Sequence, residues 1–585
     1  MIRPATVEAR ALERRARECF RFQKKRDAGL RVCLVYPNRY AVAMGNLGFQ
    51  TVYEIFDRHP GVVCERAFLP DEADLAGTRR GDLRSLESGR RVAEFDLIAF
   101  SISFETDYLN VISLLELAGI EPWRERRGDS RPLVLAGGPA IFLNPEPIAD
   151  FFDLFLIGEA EEMLPEFLEL CTCEMQRLED KESFLARTAE AVRGAYVPGF
   201  YRPIYDGRRL VDTLNDGAGM RRVERRLVWD LNAFATTSRV LSEDAVFGDM
   251  VLVEASRGCQ WGCRFCAAGY MYRPIRTRDP DLLAQSVRDG LRERSTIGLV
   301  GAEMASVPGV DMLAETAYAA GGRLSPSSLK ADCVTPRLAA ALAQGGTRSV
   351  TVAPEAGSER MRRVINKNLS ELDILRAVNL LVGEGVQDLK LYFMIGLPTE
   401  TDDDVLAIAQ LAESIHARLC AGARSRGRVG SITLSVNPFV PKPWTPFQWD
   451  PMEELSILRQ KAKRLRKAAG RVPNLRLDVE SPREAYLQTL LSRGDRRTSG
   501  FVAAAHAAGG DWWRTIRGWQ RDGLHDLPHP DEYVHRSYAE DERLPWDFID
   551  HHIAKGFLWV ERRKAFAARQ TAPCDTATCT ACAAC

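Results

Sequence analysis

Three cysteines fall in one short run, Cys259-Gln-Trp-Gly-Cys263-Arg-Phe-Cys266. Three thiolates on a single loop can each hold one iron of a [4Fe–4S] cluster and leave the fourth iron open. A structural zinc site closes its coordination with four protein ligands, and the triplet falls short of that number. Gly258 and Gly262 suit a loop wound tightly around such a group. A second thiol-rich stretch holds Cys574, Cys579, Cys582 and Cys585, all within the last twelve residues of the sequence. Four thiols at that density fit either a four-cysteine zinc site or a second iron–sulfur cluster. The remaining seven of the fourteen cysteines carry no functional claim, although Cys333 ends a predicted strand. Histidine is scarce, and His416 is the only one between residues 250 and 500, which argues against a histidine-based catalyst there.

The elements that must position these residues read as alternating strand and helix. Residues 31–37, 96–103, 132–138 and 152–158 are short apolar runs ended by Pro, Ser or Gly, the signal of buried parallel strands joined by helical crossovers. They predict a doubly wound, Rossmann-like sheet over residues 31–175, with ligands expected beyond the carboxyl ends of its strands. Six further strands are expected near 250–256, 297–302, 327–333, 349–354, 388–396 and 431–437, enough for a partial (β/α)6 barrel over 246–452. The flanking expectations are a basic helical leader (1–30), an irregular connecting region (176–245), a helical region (453–570) and a cysteine-rich tail (571–585). In the helical region, Arg459, Lys461, Lys463, Arg464, Arg466 and Lys467 form one basic run, and Trp512, Trp513 and Trp519 interleave with Arg514 and Arg517.

Composition limits the function classes. The chain has 585 residues, 79 Lys+Arg against 80 Asp+Glu, and 45% apolar residues, as a soluble multidomain protein would. A net charge of −1 excludes binding to nucleic acid through overall basicity, but local basic faces leave RNA open as a partner. No apolar run reaches 18 residues and no secretory leader is visible, so no membrane partner and a cytoplasmic location are expected.

The triplet resembles the cluster loop of the radical SAM superfamily, and further motifs match at successive strand ends. The resemblance implies that the open iron chelates the amino and carboxylate groups of S-adenosylmethionine. It also implies that cluster reduction then yields a 5′-deoxyadenosyl radical. Phe265 matches the family's aromatic position near the adenine. Gly301-Ala302-Glu303 resembles the Gly-Gly-Glu motif for the methionyl amino group, with Ala in the middle. Glu355 stands where the ribose or carboxylate would be met, Gly396-Leu397 resembles the adenine-contacting glycine motif, and Asn437 ends the sixth strand.

The N-terminal half resembles the cobalamin-binding domain of one branch of that superfamily. Ser101-Ile-Ser103 stands at its Ser-x-Leu turn and Gly137-Gly138 at its Gly-Gly turn. Asn38 lies where an Asp-x-His-x-x-Gly motif would be, and the histidine is missing. A closer resemblance spans nearly the whole chain. It is carried by segments such as Gly158-Glu-Ala-Glu161, Ile365-Asn-Lys-Asn368 and Leu544-Pro-Trp-Asp547, and it points to an uncharacterised subfamily with its own N-terminal domain and a cysteine-rich tail.

The expectation is therefore a radical SAM enzyme with a [4Fe–4S] cluster, S-adenosylmethionine and a flavodoxin- or ferredoxin-type reductant. Cobalamin-dependent methylation of an unreactive carbon is the leading reaction. Two alternatives stay open at this point: an RNA-modifying, methylthiolation-like enzyme with a second cluster in the tail, and a non-catalytic metal-dependent RNA or ribosome partner.

Overall fold

A computed structural model describes residues 7–72, 78–129, 131–174, 180–215, 222–423, 429–576 and 578–584. Its first sheet is built from β1 (Leu30–Tyr36), β2 (Val62–Phe68), β3 (Leu97–Ser101), β4 (Leu133–Gly137), β5 (Leu154–Leu156) and β6 (Ala195–Tyr196). The spatial order is β2-β1-β3-β4-β5-β6, parallel except for β6. Almost every residue of β1 and β3 is buried, because helices cover both faces of the sheet. Chain order reverses between β1 and β3, which opens a crevice at their carboxyl ends.

The second sheet system follows. β7 (Met250–Glu254), β8 (Thr296–Val300) and β9 (Arg323–Pro326) pair in parallel, as do β10 (Ser349–Glu355), β11 (Asp388–Ile395), β12 (Ile432–Pro438) and β13 (Leu475–Val479). A single parallel bridge, Leu329 to Val352, joins the two groups. Helices α1 (Pro280–Leu291), α2 (Val310–Ala319), α3 (Pro336–Gln344), α4 (Glu371–Glu384), α5 (Asp402–Ala423) and α6 (Leu455–Ala469) each pack on the next and form an outer ring. β11 alternates strictly: Leu389, Leu391, Phe393 and Ile395 are buried, while Lys390, Tyr392 and Met394 stay partly accessible. That period of two is what a half-lined barrel needs.

The structure corrects several expectations. The third barrel strand ends at Pro326, and Ala331–Cys333 is a single 3-10 turn. The helical region contains β13, a seventh strand added beside β12. The connecting region holds an antiparallel hairpin, Tyr201–Asp206 with Arg209–Asn215. Among the described residues of the leader, Val7–Ala16 is a helix and Cys19–Phe20 a short strand, and its Arg14 and Arg17 pair with Asp71 and Asp244. Trp519 is fully buried against Phe501 and Tyr533, and Lys461 is buried with Glu400 and Glu453. These two residues belong to the core and not to a basic surface. Among the described residues, no helix is long and apolar enough to cross a membrane.

Candidate functional site

The loop of three cysteines hangs from a two-strand clasp, Ser256–Arg257 against Arg276–Thr277, directly after β7. Gly258 opens it at a φ of 83°, where an added Cβ would stand 2.4 Å from the Tyr272 carbonyl oxygen. Only glycine fits so close an approach. Within the loop, the Cys266 N–H donates to the Cys263 carbonyl and the Gly269 N–H to the Cys266 carbonyl. Burial, with the neighbouring Cys263 and Cys266 acting in the same direction, pushes the Cys259 thiol up to about 12. The three thiols therefore lie near enough to influence one another. Among the described residues, no three His, Cys, Asp or Glu are gathered to hold a metal ion. A cubane cluster assigns a separate iron to each thiolate, so the donor set fits a [4Fe–4S] group in its chemistry.

Several residues fix this loop from outside. Arg264 is fully buried and donates to the carbonyls of Arg363 (3.0 Å), Val364 (2.8 Å) and Arg569 (2.8 Å), and to Glu561 (3.1 Å). Asn366 and Asn368 both have positive φ, and Asn366 Nδ2 donates to the Gly262 carbonyl at 3.1 Å. Lys367, between them, lies 3.3 Å from Glu355. Burial lowers its pKa, but Glu355 and the Cys263 and Cys266 thiols outweigh that effect and hold it charged.

The residues expected to meet S-adenosylmethionine ring the same mouth. A Cβ on Gly301 would collide with Met304 (2.2 Å) and Ser256 (2.7 Å), so this strand end is packed to the backbone. Glu303 accepts from the backbone N–H groups of Ala305 (2.7 Å), Ser306 (3.0 Å) and Lys330 (3.2 Å), and so shapes the turn after Ala302. Glu355 holds a φ of 68°, unusual for a residue with a side chain, beside a register shift in β10. Such backbone strain concentrates at functional sites. The Gly396 N–H donates to Glu400 (2.7 Å), which Lys461 holds at 2.9 Å. Phe265, Leu397, Met394 and Phe439 share one apolar cluster. The buried Oδ1 of Asn437 has no hydrogen-bond partner within the protein.

The N-terminal sheet reaches the clasp directly. Glu159, just after β5, binds Arg276 through both carboxylate oxygens (2.7 and 2.8 Å) and lies 3.2 Å from Arg257. Glu161 and Glu254 complete the grip on Arg257 at 2.7 and 2.9 Å. Burial pushes the Glu159 carboxyl up, but the hydrogen bonds and charge of Arg276 and Arg257 prevail and lower it overall.

At the sheet crevice, Asn38 Nδ2 donates to Asp107 Oδ1 at 2.9 Å, and Asn46 Nδ2 donates to Ser103 Oγ at 3.0 Å. The second oxygen of Asp107 is buried without a partner, and burial pushes this carboxyl up to about 7. Ser101 pairs in register with Gly137. A Cβ on Gly138 would stand 2.5 Å from the Ile102 carbonyl oxygen, which accounts for glycine there by backbone packing alone. The exit loops of the two sheets touch: Lys442 pairs with Glu105 at 2.6 Å, and Phe142 packs edge-on against Tyr272 of the cluster loop.

The tail lies along the cluster loop. The Cys574 N–H donates to the Gln260 carbonyl at 2.8 Å, and Thr571 N–H donates to Asn366 Oδ1 at 2.8 Å. Cys574, Cys579 and Cys582 line one cavity, and Cys585 lies outside the described residues.

Residues 253–412 match the model of the radical SAM superfamily, and residues 48–198 match the N-terminal model of radical SAM proteins. The chain is a radical SAM enzyme. It is 29% identical over 473 residues to the uncharacterised protein MJ0966 of Methanocaldococcus jannaschii, spanning 80% of this chain and 90% of that protein. Among solved structures it is similar to the radical S-adenosylmethionine methyltransferase TsrM from Kitasatospora setae. That match has 15% identity and a TM-score of 0.47, and it covers 72% of this chain and 77% of that one. It is also similar to the cobalamin-dependent S-adenosylmethionine radical enzyme OxsB, with 15% identity and a TM-score of 0.46, covering 66% of this chain and 52% of that one.

Membership sets aside the non-catalytic alternative and gives meaning to residues the sequence left without a role. Glu159, Asn366 and Lys367 lie within the quoted segments Gly158–Glu161 and Ile365–Asn368, but nothing local linked them to the cluster loop. A [4Fe–4S] cluster held by Cys259, Cys263 and Cys266, the ligand set proposed below, is expected to become harder to reduce in Lys367→Met. Removing one charge beside its thiolates is worth on the order of 2 kcal/mol, or tens of millivolts. An EPR-monitored redox titration reads this shift, and an unchanged midpoint would deny Lys367 that role.

Proposed function

We propose that this enzyme binds a [4Fe–4S] cluster on Cys259, Cys263 and Cys266 and S-adenosylmethionine at the barrel mouth. We further propose that it carries out cobalamin-dependent methylation of an unreactive carbon where the mouth meets the N-terminal crevice. The observation that carries this reading is the meeting of the two carboxyl-end faces, through Lys442–Glu105 and Phe142–Tyr272, with the cluster loop at the seam. When bound, the reduced cluster supplies the electron that cleaves the sulfonium, and cobalamin supplies a methyl carrier.

The chain's own groups divide the remaining work. Phe265 and Leu397, backed by Met394 and Phe439, give an apolar wall for an adenine and keep water from it. Asn437 offers an unpartnered acceptor, Glu355 a carboxylate, and the turn set by Glu303 presents Gly301 and Ala302. Asn38, Ser101, Ser103 and the open oxygen of Asp107, with Gly137 and Gly138, make an amide, hydroxyl and carboxyl set. Such a set suits the amide-bearing rim of a corrin. The electron would come from a flavodoxin- or ferredoxin-type donor. RNA as the substrate has one observation in its favour: Arg459, Lys463, Arg466 and Lys467 are all exposed on α6.

Anaerobically reconstituted protein given S-adenosylmethionine and dithionite should form 5′-deoxyadenosine, and hydroxocobalamin should co-elute with it on gel filtration. Absence of the nucleoside would overturn the first part of this reading. Free elution of cobalamin would overturn the second.

A further inference from the structure

The tail cavity has a volume of about 50 Å³ and is walled on one side by Cys574, Cys579 and Cys582. The cluster loop lines the same cavity through Gly262, which stands between Cys259 and Cys263, and Tyr270, whose hydroxyl donates to the Gly262 carbonyl at 3.2 Å. Arg273 also lines the cavity. Its guanidinium stacks over Tyr270 at 4.8 Å and donates to the Gly269 carbonyl at 2.9 Å. Cys582 is almost fully buried, although its neighbours in the tail are mostly Thr and Ala, and its carbonyl is anchored by the Ala554 N–H at 3.0 Å. A stretch so poor in large apolar side chains has little hydrophobic reason to order itself here. Ligands shared with a bound group would supply one.

Zinc–thiolate bonds of about 2.3 Å keep the sulfurs of one zinc within about 4.6 Å of each other. The described tail thiols surround their cavity without being gathered around one ion, as is also true of the loop triplet. We infer that Cys574, Cys579 and Cys582 hold a second iron–sulfur cluster against the outer side of the first, with the Gly262 backbone as their common wall. So placed, it serves as a one-electron relay. A low-potential one-electron donor of the ferredoxin or flavodoxin class reduces the tail cluster, which passes that electron to the loop cluster and returns to its oxidised state.

The full-length chain allows a direct test by iron analysis and EPR after anaerobic reconstitution with iron and sulfide. A variant with Cys259, Cys263 and Cys266 all changed to Ser should retain about four irons and one reduced-cluster signal. The reciprocal variant at Cys574, Cys579 and Cys582 should also lose about four irons relative to wild type. In the reduced wild type, the two signals should be broadened by spin coupling. No iron in the loop variant, or about one zinc in its place, would overturn the inference. Two fully independent signals would overturn the shared wall. The inference rests on the proposed loop cluster only for its relay role. A wild type that forms no 5′-deoxyadenosine, beside a loop variant that keeps its irons, would sink the proposed function and leave the tail cluster standing.

Discussion

Cys259→Ala is expected to reduce 5′-deoxyadenosine formation to the level of protein without a cluster. The reason is stoichiometric. The loop offers three thiolates to a cluster whose fourth iron must stay open, so losing one leaves two protein ligands for three irons. Neighbouring groups cannot replace it. Glu303 is committed to the backbone N–H groups of Ala305, Ser306 and Lys330, and Glu355 to Lys367. Iron content should fall by about four per chain, with the tail unaffected. The assay is nucleoside yield per hour under dithionite, with iron measured on the same sample. A variant as productive as wild type would rule out the triplet as the cluster site.

Glu159→Ala is expected to cost about 3–5 kcal/mol of stability, the usual consequence of removing one partner from a buried ion pair. Arg276 would lose both of its carboxylate bonds while staying buried, and Arg257 would keep only Glu161 and Glu254. The same change loosens the clasp that carries the cluster loop, so the variant should also lose iron faster during desalting. The pH dependence follows from the lowered carboxyl of Glu159. Its contribution is fully present above the ordinary glutamate value of about 4.3 and disappears as the pH falls through the lower folded-state value. The gap in thermal midpoint between wild type and variant should therefore be wide at pH 7 and close under acid. A gap that persists unchanged at low pH would assign the loss to packing and not to charge.

The chemistry of this protein was legible in its sequence to the extent that it depends on local spacing. Cys259, Cys263 and Cys266 are neighbours on one loop, and Gly258 stands directly beside them, although the Tyr272 carbonyl that excludes a Cβ there belongs to the far end of the loop. The strands of the N-terminal sheet were readable for a similar reason, since a parallel strand buried on both faces leaves a continuous apolar run. The short β9 was misplaced because it carries Arg, Ser and Pro beside a single fully buried residue, Leu324. β13, Leu475-Arg-Leu-Asp-Val479, alternates as a strand does, but it is only five residues long and lies between two long helical stretches that masked it.

Only the tertiary structure decided which distant groups act on the loop. Glu159 reaches Arg276 across 117 positions, and Arg264 reaches Glu561 across 297. Ion pairs of that kind have no periodicity to reveal them, because their partners are set by how the sheets dock. The same docking brings the tail cysteines to the back of the cluster loop. The sequence by itself determined that thiols are present in two groups. The fold determined that the two groups line one cavity, because the tail docks along the loop, with the Cys574 N–H on the Gln260 carbonyl.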